Sequence, residues 1–210
     1  MSFAARSERR VKRRSMVSGL GFMVLLLPSV WMMATKKTRF EGTFHGGLAG
    51  KCFMARFRMS EMSEQAKYER FMREAILEAL KGDVSKTSPN PLVGSVIVES
   101  GVVVARGFFE SDGGPHAERK ALADLGRTPL PGAALYVTLE PCSTHGRTGA
   151  CSEAIVKAGI LEVVVGTLDP TPAHRGAGLH TLREAGVSVV ADVLVAECEA
   201  INPGFAGRET

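Results

Sequence analysis

Apolar positions are unevenly patterned along this chain, and regular spacing begins only at Tyr68. From there Tyr68, Phe71, Met72, Ala75, Ile76, Ala79 and Leu80 recur three and four residues apart. That spacing is one buried face of a helix, and Gly82 supplies a stop. Residues 93–98 and 102–106 are β-branched runs separated by Glu99-Ser100-Gly101, which predicts a β-hairpin. Residues 116–125 are predicted helical and 134–138 a short buried strand. Residues 151–158 then read as helix, 163–166 as strand, 179–185 as helix and 187–190 as strand. After the hairpin, strands and helices alternate. This order predicts an α/β fold, a three-layer αβα sandwich around a mixed five-stranded sheet with parallel crossovers between its later strands. Ligands of such a fold gather at strand ends and helix starts.

The first 58 residues do not share this patterning. Arg9-Arg10-Val11-Lys12-Arg13-Arg14 precedes an apolar run over 16–34, interrupted by Pro28 and closed by Lys36-Lys37. A bilayer crossing takes about 17–25 residues, and a basic flank before an apolar core also fits a signal peptide or anchor. The charge bias would then put the rest of the chain outside the cytoplasm, against the chemistry read below. The expectation is that 1–58 is upstream sequence joined by a misjudged start, with Met59 and Met62 just before the first patterned helix. Residues 59–210 are then the folded domain, working in the cytoplasm. A membrane-anchored protein is the alternative if the leader is real.

Composition changes the picture in two places. With 45% hydrophobic and 23% charged residues, the chain is neither wholly disordered nor fibrous. Its net charge of +4 hides two unlike parts: residues 1–58 carry +10 and the remainder −6. The basic charge therefore lies outside the patterned region and gives no support for a nucleic-acid partner. The four cysteines, Cys52, Cys142, Cys151 and Cys198, are too few for the disulfide framework of a small secreted protein. Reduced thiols, two of them metal ligands, fit better.

Gly113-Gly114-Pro115-His116-Ala117-Glu118 turns the chain into a helix, Glu140-Pro141-Cys142 follows a strand, and Cys151 opens the next helix. A helix N-terminus favours thiolate over thiol. Zinc held by His116, Cys142 and Cys151 would keep a fourth tetrahedral position for water and lower that water's pKa towards neutrality. Glu118, two residues from the imidazole ligand, can reach the water without binding the metal and is the candidate acid–base group. His145 would crowd Cys142 and is not expected to ligate. His174, in a Gly-rich turn, and His180, on a surface helix, are expected to be solvated, and Cys198 to be a small core residue.

His116-Ala117-Glu118 followed by Pro141-Cys142 resembles the H-x-E…P-C-x-x-C signature of zinc nucleobase deaminases, except that eight residues rather than two separate the cysteines. That enlarged loop, Cys142-Ser143-Thr144-His145-Gly146-Arg147-Thr148-Gly149-Ala150-Cys151, is the most specific element. With Thr138-Leu139-Glu140, Asn90-Pro91-Leu92-Val93-Gly94, Gly114-Pro115-His116-Ala117-Glu118 and Leu168-Asp169-Pro170, it resembles the deaminase domain of the bifunctional riboflavin-biosynthesis deaminase/reductase family. The resemblance runs over about residues 71–205.

The resemblance implies a cytidine-deaminase-like fold and hydrolytic deamination of 2,5-diamino-6-ribosylamino-4(3H)-pyrimidinone 5′-phosphate to the 5-amino-6-ribosylamino-uracil phosphate, releasing ammonia. It tips three residues towards substrate contact. Asn90 would read a base edge with its amide, Arg147 would pair with the 5′-phosphate as a bidentate donor, and Asp169 would accept from an amine or hydroxyl. On the residues alone, Asn90 reads equally as a turn residue, Arg147 as a solvated loop cation and Asp169 as a turn cap. Three positions depart from the family: Thr144 stands where His is frequent, Thr171 where Asp-Pro-Asn-Pro is usual, and Phe109 where a His is common. These leave the exact substrate open. The implied partners are a small phosphorylated pyrimidine, further copies of the chain in a homo-oligomer, and a separate reductase polypeptide, since the sequence stops where the family's reductase domain would begin. Two competing readings are a deaminase of another aminated pyrimidine or purine, and a non-catalytic zinc-stabilised module. The presence of Glu118 speaks against the module, because a structural site needs no proton shuttle.

Overall fold

The computed structural model describes residues 62–145, 149–172 and 174–205; the leader 1–58 and Arg147 lie outside the described residues. Helix α1 (Glu64–Ala79) starts four residues before the apolar periodicity does. Its first turn is polar, so its start is set by a cap instead, Ser63 Oγ accepting from the Ala66 N–H at 3.2 Å. A short helix α2 (Val84–Thr87) follows, capped by Asp83. The hairpin is β1 (Gly94–Glu99) and β2 (Val102–Phe108). Its turn places Ser100 and Gly101 at φ of 50° and 76°, the left-handed pair that matches the twist of paired strands.

The rest of the chain alternates as the sequence predicts: α3 (Ala117–Leu125), β3 (Ala134–Leu139), α4 (Cys151–Ala158), β4 (Glu162–Thr167), α5 (Ala177–Glu184), β5 (Ser188–Val190) and α6 (Val195–Glu199). The sheet order is β2-β1-β3-β4-β5. β1 runs antiparallel to β2 and β3, while β3, β4 and β5 are mutually parallel. Alternate side chains divide the core into two layers. Ile97, Leu135, Val137, Val163 and Val165 meet Ala121, Ile155 and Leu182 from α3, α4 and α5; Val96, Val98, Tyr136 and Val164 meet Phe71, Met72 and Ala75 from α1. Both faces are covered, giving the expected three layers. No helix among the described residues is long and apolar enough to cross a membrane.

Strand polarity decides where a site can form. The carboxyl ends of β3 and β4 lie side by side, with Leu139 opposite Thr167. Because β1 is antiparallel to β3, its start at Gly94 lies at that same edge, and so does the end of β2, since Gly94 pairs with Phe108. Four chain segments therefore leave the sheet together: the lead-in to β1 and the exits of β2, β3 and β4. The exit of β2 leads directly into α3, whose backbone rests on Gly107. A Cβ there would collide with the Ala117 carbonyl and the Ala121 N–H. Gly107→Ala is therefore expected to destabilise the fold by about 1–3 kcal/mol, the usual cost of overpacking a closed contact, as a lowered urea midpoint at unchanged slope. An unchanged midpoint would mean that α3 can lift from the sheet at no cost.

Candidate metal centre

At that sheet edge a cleft of about 410 Å³ opens, lined by residues from all four segments and from the start of α3. His116 ends the turn before α3 with extended backbone (φ −66°, ψ 162°), which points its ring back over the cleft. Cys142 leaves β3 two residues after Glu140, and Cys151 is the first residue of α4. His116 Nδ1 lies 3.5 Å from Cys142 Sγ and 3.4 Å from Cys151 Sγ. The three ligand atoms all fall within 4.8 Å of one another. A nitrogen at about 2.05 Å and a sulfur at about 2.3 Å from one tetrahedral centre would stand about 3.6 Å apart, so the set fits zinc in spacing as well as in type.

Charge gives a second argument for a cation. The Cys151 thiol and backbone N–H (3.3 Å) and the His116 ring favour the thiolate of Cys142 and push its pKa down. Cys151 is fully buried and faces that sulfur, so its own thiol is pushed up. Two thiolates cannot share this place unless a positive ion stands between them. Outside the triad, Cys198 is buried in the α1-side core, as expected. His145 is exposed and pairs with Glu153 at 3.1 Å, and His180 is exposed beside Glu184. Neither belongs to the ligand set.

Glu118, in the first turn of α3, is 3% exposed. Burial pushes its carboxyl up to about 7, where a group can both take and give a proton near neutrality. Asn90 lines the cleft and donates from its amide to Asp112 at 2.9 Å. Asp169 does two things at once: its carboxylate accepts from the Thr171 N–H at 2.8 Å, and it lines the cleft. Phe109, Thr144 and Thr171 line it too, so the three departures from the resembled family fall in the cleft. Phe109 sets its ring edge-on to His116, with centroids 5.6 Å apart.

Four contributions escape a reading of the sequence. The buried Glu140 carboxylate accepts from the N–H groups of Asp169 (3.2 Å), Gly176 (2.8 Å) and Gly178 (2.9 Å). It thereby ties the β3 exit to the β4 exit and to the start of α5. Asn202 clamps Leu92, its amide accepting from the N–H at 2.7 Å and donating to the carbonyl at 2.8 Å, and Phe205 reaches the cleft from the same terminal turn. Arg119 donates to the Ala150 carbonyl at 3.1 Å, holding the residue before Cys151 against α3. His174 is not the solvated side chain expected: it is partly buried and lines the cleft. Its Gly-rich turn folds back because the His174 N–H donates to the Thr171 carbonyl and Glu140 gathers the turn's end.

Comparison with known proteins follows the same outline. Residues 65–167 match the family model of the cytidine and deoxycytidylate deaminase zinc-binding region. The chain is 50% identical over 135 residues to the riboflavin biosynthesis protein RibD of Actinobacillus pleuropneumoniae, an overlap of 64% of this chain and 35% of that protein. A solved structure of Acinetobacter baumannii RibD matches at a TM-score of 0.64 and 40% identity, over 68% of this chain and 40% of that one. A diaminohydroxyphosphoribosylaminopyrimidine deaminase/5-amino-6-(5-phosphoribosylamino)uracil reductase from Thermotoga maritima matches at 0.63 and 42% identity, over 68% of this chain and 41% of that one. The chain spans little more than a third of the length of the first curated relatives it matches.

The Glu140 clamp can be tested apart from turnover. Glu140→Ala orphans three backbone N–H groups, at about 1–3 kcal/mol for a buried unpaired donor, and frees the loop that carries Cys142. The expected outcome is at least about 2 kcal/mol lost in urea unfolding, with zinc affinity down about 10–100-fold in a chelator competition. Unchanged stability and affinity would remove the clamp from the account.

Proposed function

We propose, from the match of residues 65–167 to the family model of the cytidine and deoxycytidylate deaminase zinc-binding region, that this chain deaminates 2,5-diamino-6-ribosylamino-4(3H)-pyrimidinone 5′-phosphate in riboflavin biosynthesis. The observation that carries the reading is the His116–Cys142–Cys151 set, its first two members lining the cleft together with a buried carboxyl of raised pKa. The enlarged loop between the two cysteines and the identity to RibD proteins support the choice of substrate.

His116, Cys142 and Cys151 would hold the metal, and zinc bound there would supply the acidification of a water molecule. Glu118 takes a proton as the oxygen of water bonds to the ring carbon bearing the exocyclic amine, and gives that proton to the adjacent ring nitrogen. It then carries the remaining hydroxyl proton to the amine. The carbon–nitrogen bond breaks, ammonia leaves and a ring carbonyl remains. Burial of Glu118 suits it to both directions of transfer, and such shuttling contributes about 10²–10⁴-fold. Asn90 and Asp169 offer polar atoms to the ring substituents, while Phe109 and Val93 give the flat ring an apolar wall. Arg147 is read as a partner of the 5′-phosphate. The same reading takes 59–210 as the catalytic domain and the chain as a cytoplasmic homo-oligomer, because a phosphorylated substrate does not leave the cell. A reductase is the partner class that would consume the uracil product.

Ammonia release by the zinc-loaded chain is expected from the diaminopyrimidinone phosphate, with cytidine and guanine as poor substrates. Turnover of cytidine or guanine in place of the phosphate would overturn the assignment. Glu118→Gln should keep its zinc and lose at least about 10²-fold in kcat. A Gln variant that keeps its activity would remove Glu118 from the proton path.

A further inference from the structure

The cleft is unevenly charged for a phosphorylated ligand. Its described lining carries the carboxyl groups of Glu118, Glu140 and Asp169, and neither Lys nor Arg. The backbone N–H groups at the start of α5, which would otherwise attract an anion, are already taken up by Glu140. A phosphate entering this cleft needs side-chain donors, and the described lining supplies them from neither Lys nor Arg. Arg147, the partner proposed for the 5′-phosphate, lies outside the described residues, and a second donor from the described lining would act beside it.

Two imidazoles line the cleft among the described residues. His116 is committed, its Nδ1 facing both cysteine sulfurs. His174 is not. It is held in its turn by backbone bonds, its N–H donating to the Thr171 carbonyl at 2.9 Å and its carbonyl accepting from Ala177 at 3.0 Å. Its ring nitrogens make no hydrogen bond or ion pair with any described residue. After His116 it is the one described lining side chain that can carry positive charge. Thr171, in the same turn, brings a hydroxyl to the same cleft.

We propose that His174 is a specificity-determining residue for the anionic end of the substrate, donating a ring N–H to a phosphate oxygen in the turn it shares with Thr171. This rests on the reading of the substrate as a phosphorylated pyrimidine, and it places the phosphate beside the β4–α5 turn. His174 acts on binding and does not take part in the proton transfers.

The test compares the zinc-loaded full chain with His174→Ala and His174→Lys on the diaminopyrimidinone phosphate and on its dephosphorylated nucleoside. His174→Ala is expected to raise KM for the phosphate about 10–100-fold, the range for a lost hydrogen bond to a charged group. Its kcat should stay within about twofold and KM for the nucleoside should not change. His174→Lys should recover most of the lost affinity, which a merely structural role would not allow. Equal effects on both substrates, or none on the phosphate, would overturn the proposal. A readout without turnover is the NMR cross-peak of the His174 ring, identified by its absence in His174→Ala. Ribose 5-phosphate should move it saturably and ribose should not. A cross-peak indifferent to ribose 5-phosphate overturns the role of His174 even in an active enzyme. A saturable shift in a chain that does not deaminate the phosphate substrate overturns the assigned reaction and leaves the His174 contact standing.

Discussion

Two cysteine sulfurs held 3.4 and 3.5 Å from one imidazole nitrogen form the constraint on which the rest of this structure depends. Such a group is stable with at most one negative sulfur unless a cation joins it, and the raised and lowered thiol pKa values of the pair express that need. To bring the three together the fold must converge the exit of β3 with the starts of α3 and α4. The antiparallel β1 makes this possible by turning the β2 exit to the same edge as the carboxyl ends of β3 and β4. Gly107 lets α3 lie against the sheet, Arg119 ties α3 to the residue before Cys151, and Glu140 fixes the loop on the other side.

The same convergence mixes the chemistry of the cleft. Phe109, Val93 and Leu139 bring apolar surface to its lining, and Asn90, Asp169, Thr171 and His174 bring polar groups. Glu118 sits buried by the metal ligands, where loss of solvent makes its carboxylate a stronger base. Phe109, Thr144 and Thr171, the three positions that depart from the resembled family, line this cleft, as does Glu118.

Much of this was legible in the sequence because it is local. The α1 face, the hairpin and the alternation that follows are written in spacing over fewer than twenty residues. The ligand set was legible because His-x-Glu and Pro-Cys stand at positions the pattern assigns to a helix start and a strand end. The start of α1 was not, since Ser63 caps a solvent-facing turn with no periodicity to mark it. Glu140 could be quoted but not understood: its partners lie 29 to 38 residues away, and no spacing reports a carboxylate shared by three backbone donors. His174 was misjudged because a Gly-rich turn suggests solvent, whereas this turn is drawn inward by that same carboxylate. Asp169 was read as a turn cap or as a substrate acceptor; it caps the turn at Thr171 and also lines the cleft.

A metal centre of one imidazole, two thiolates and an open position has a distinct signature in X-ray absorption at the zinc edge of the purified chain. Two sulfurs at about 2.3 Å and two nitrogen or oxygen neighbours at about 2.0 Å are expected, one of which exchanges when a small anion is added. A shell of three or four sulfurs, or a four-coordinate shell that no added ligand alters, would contradict it.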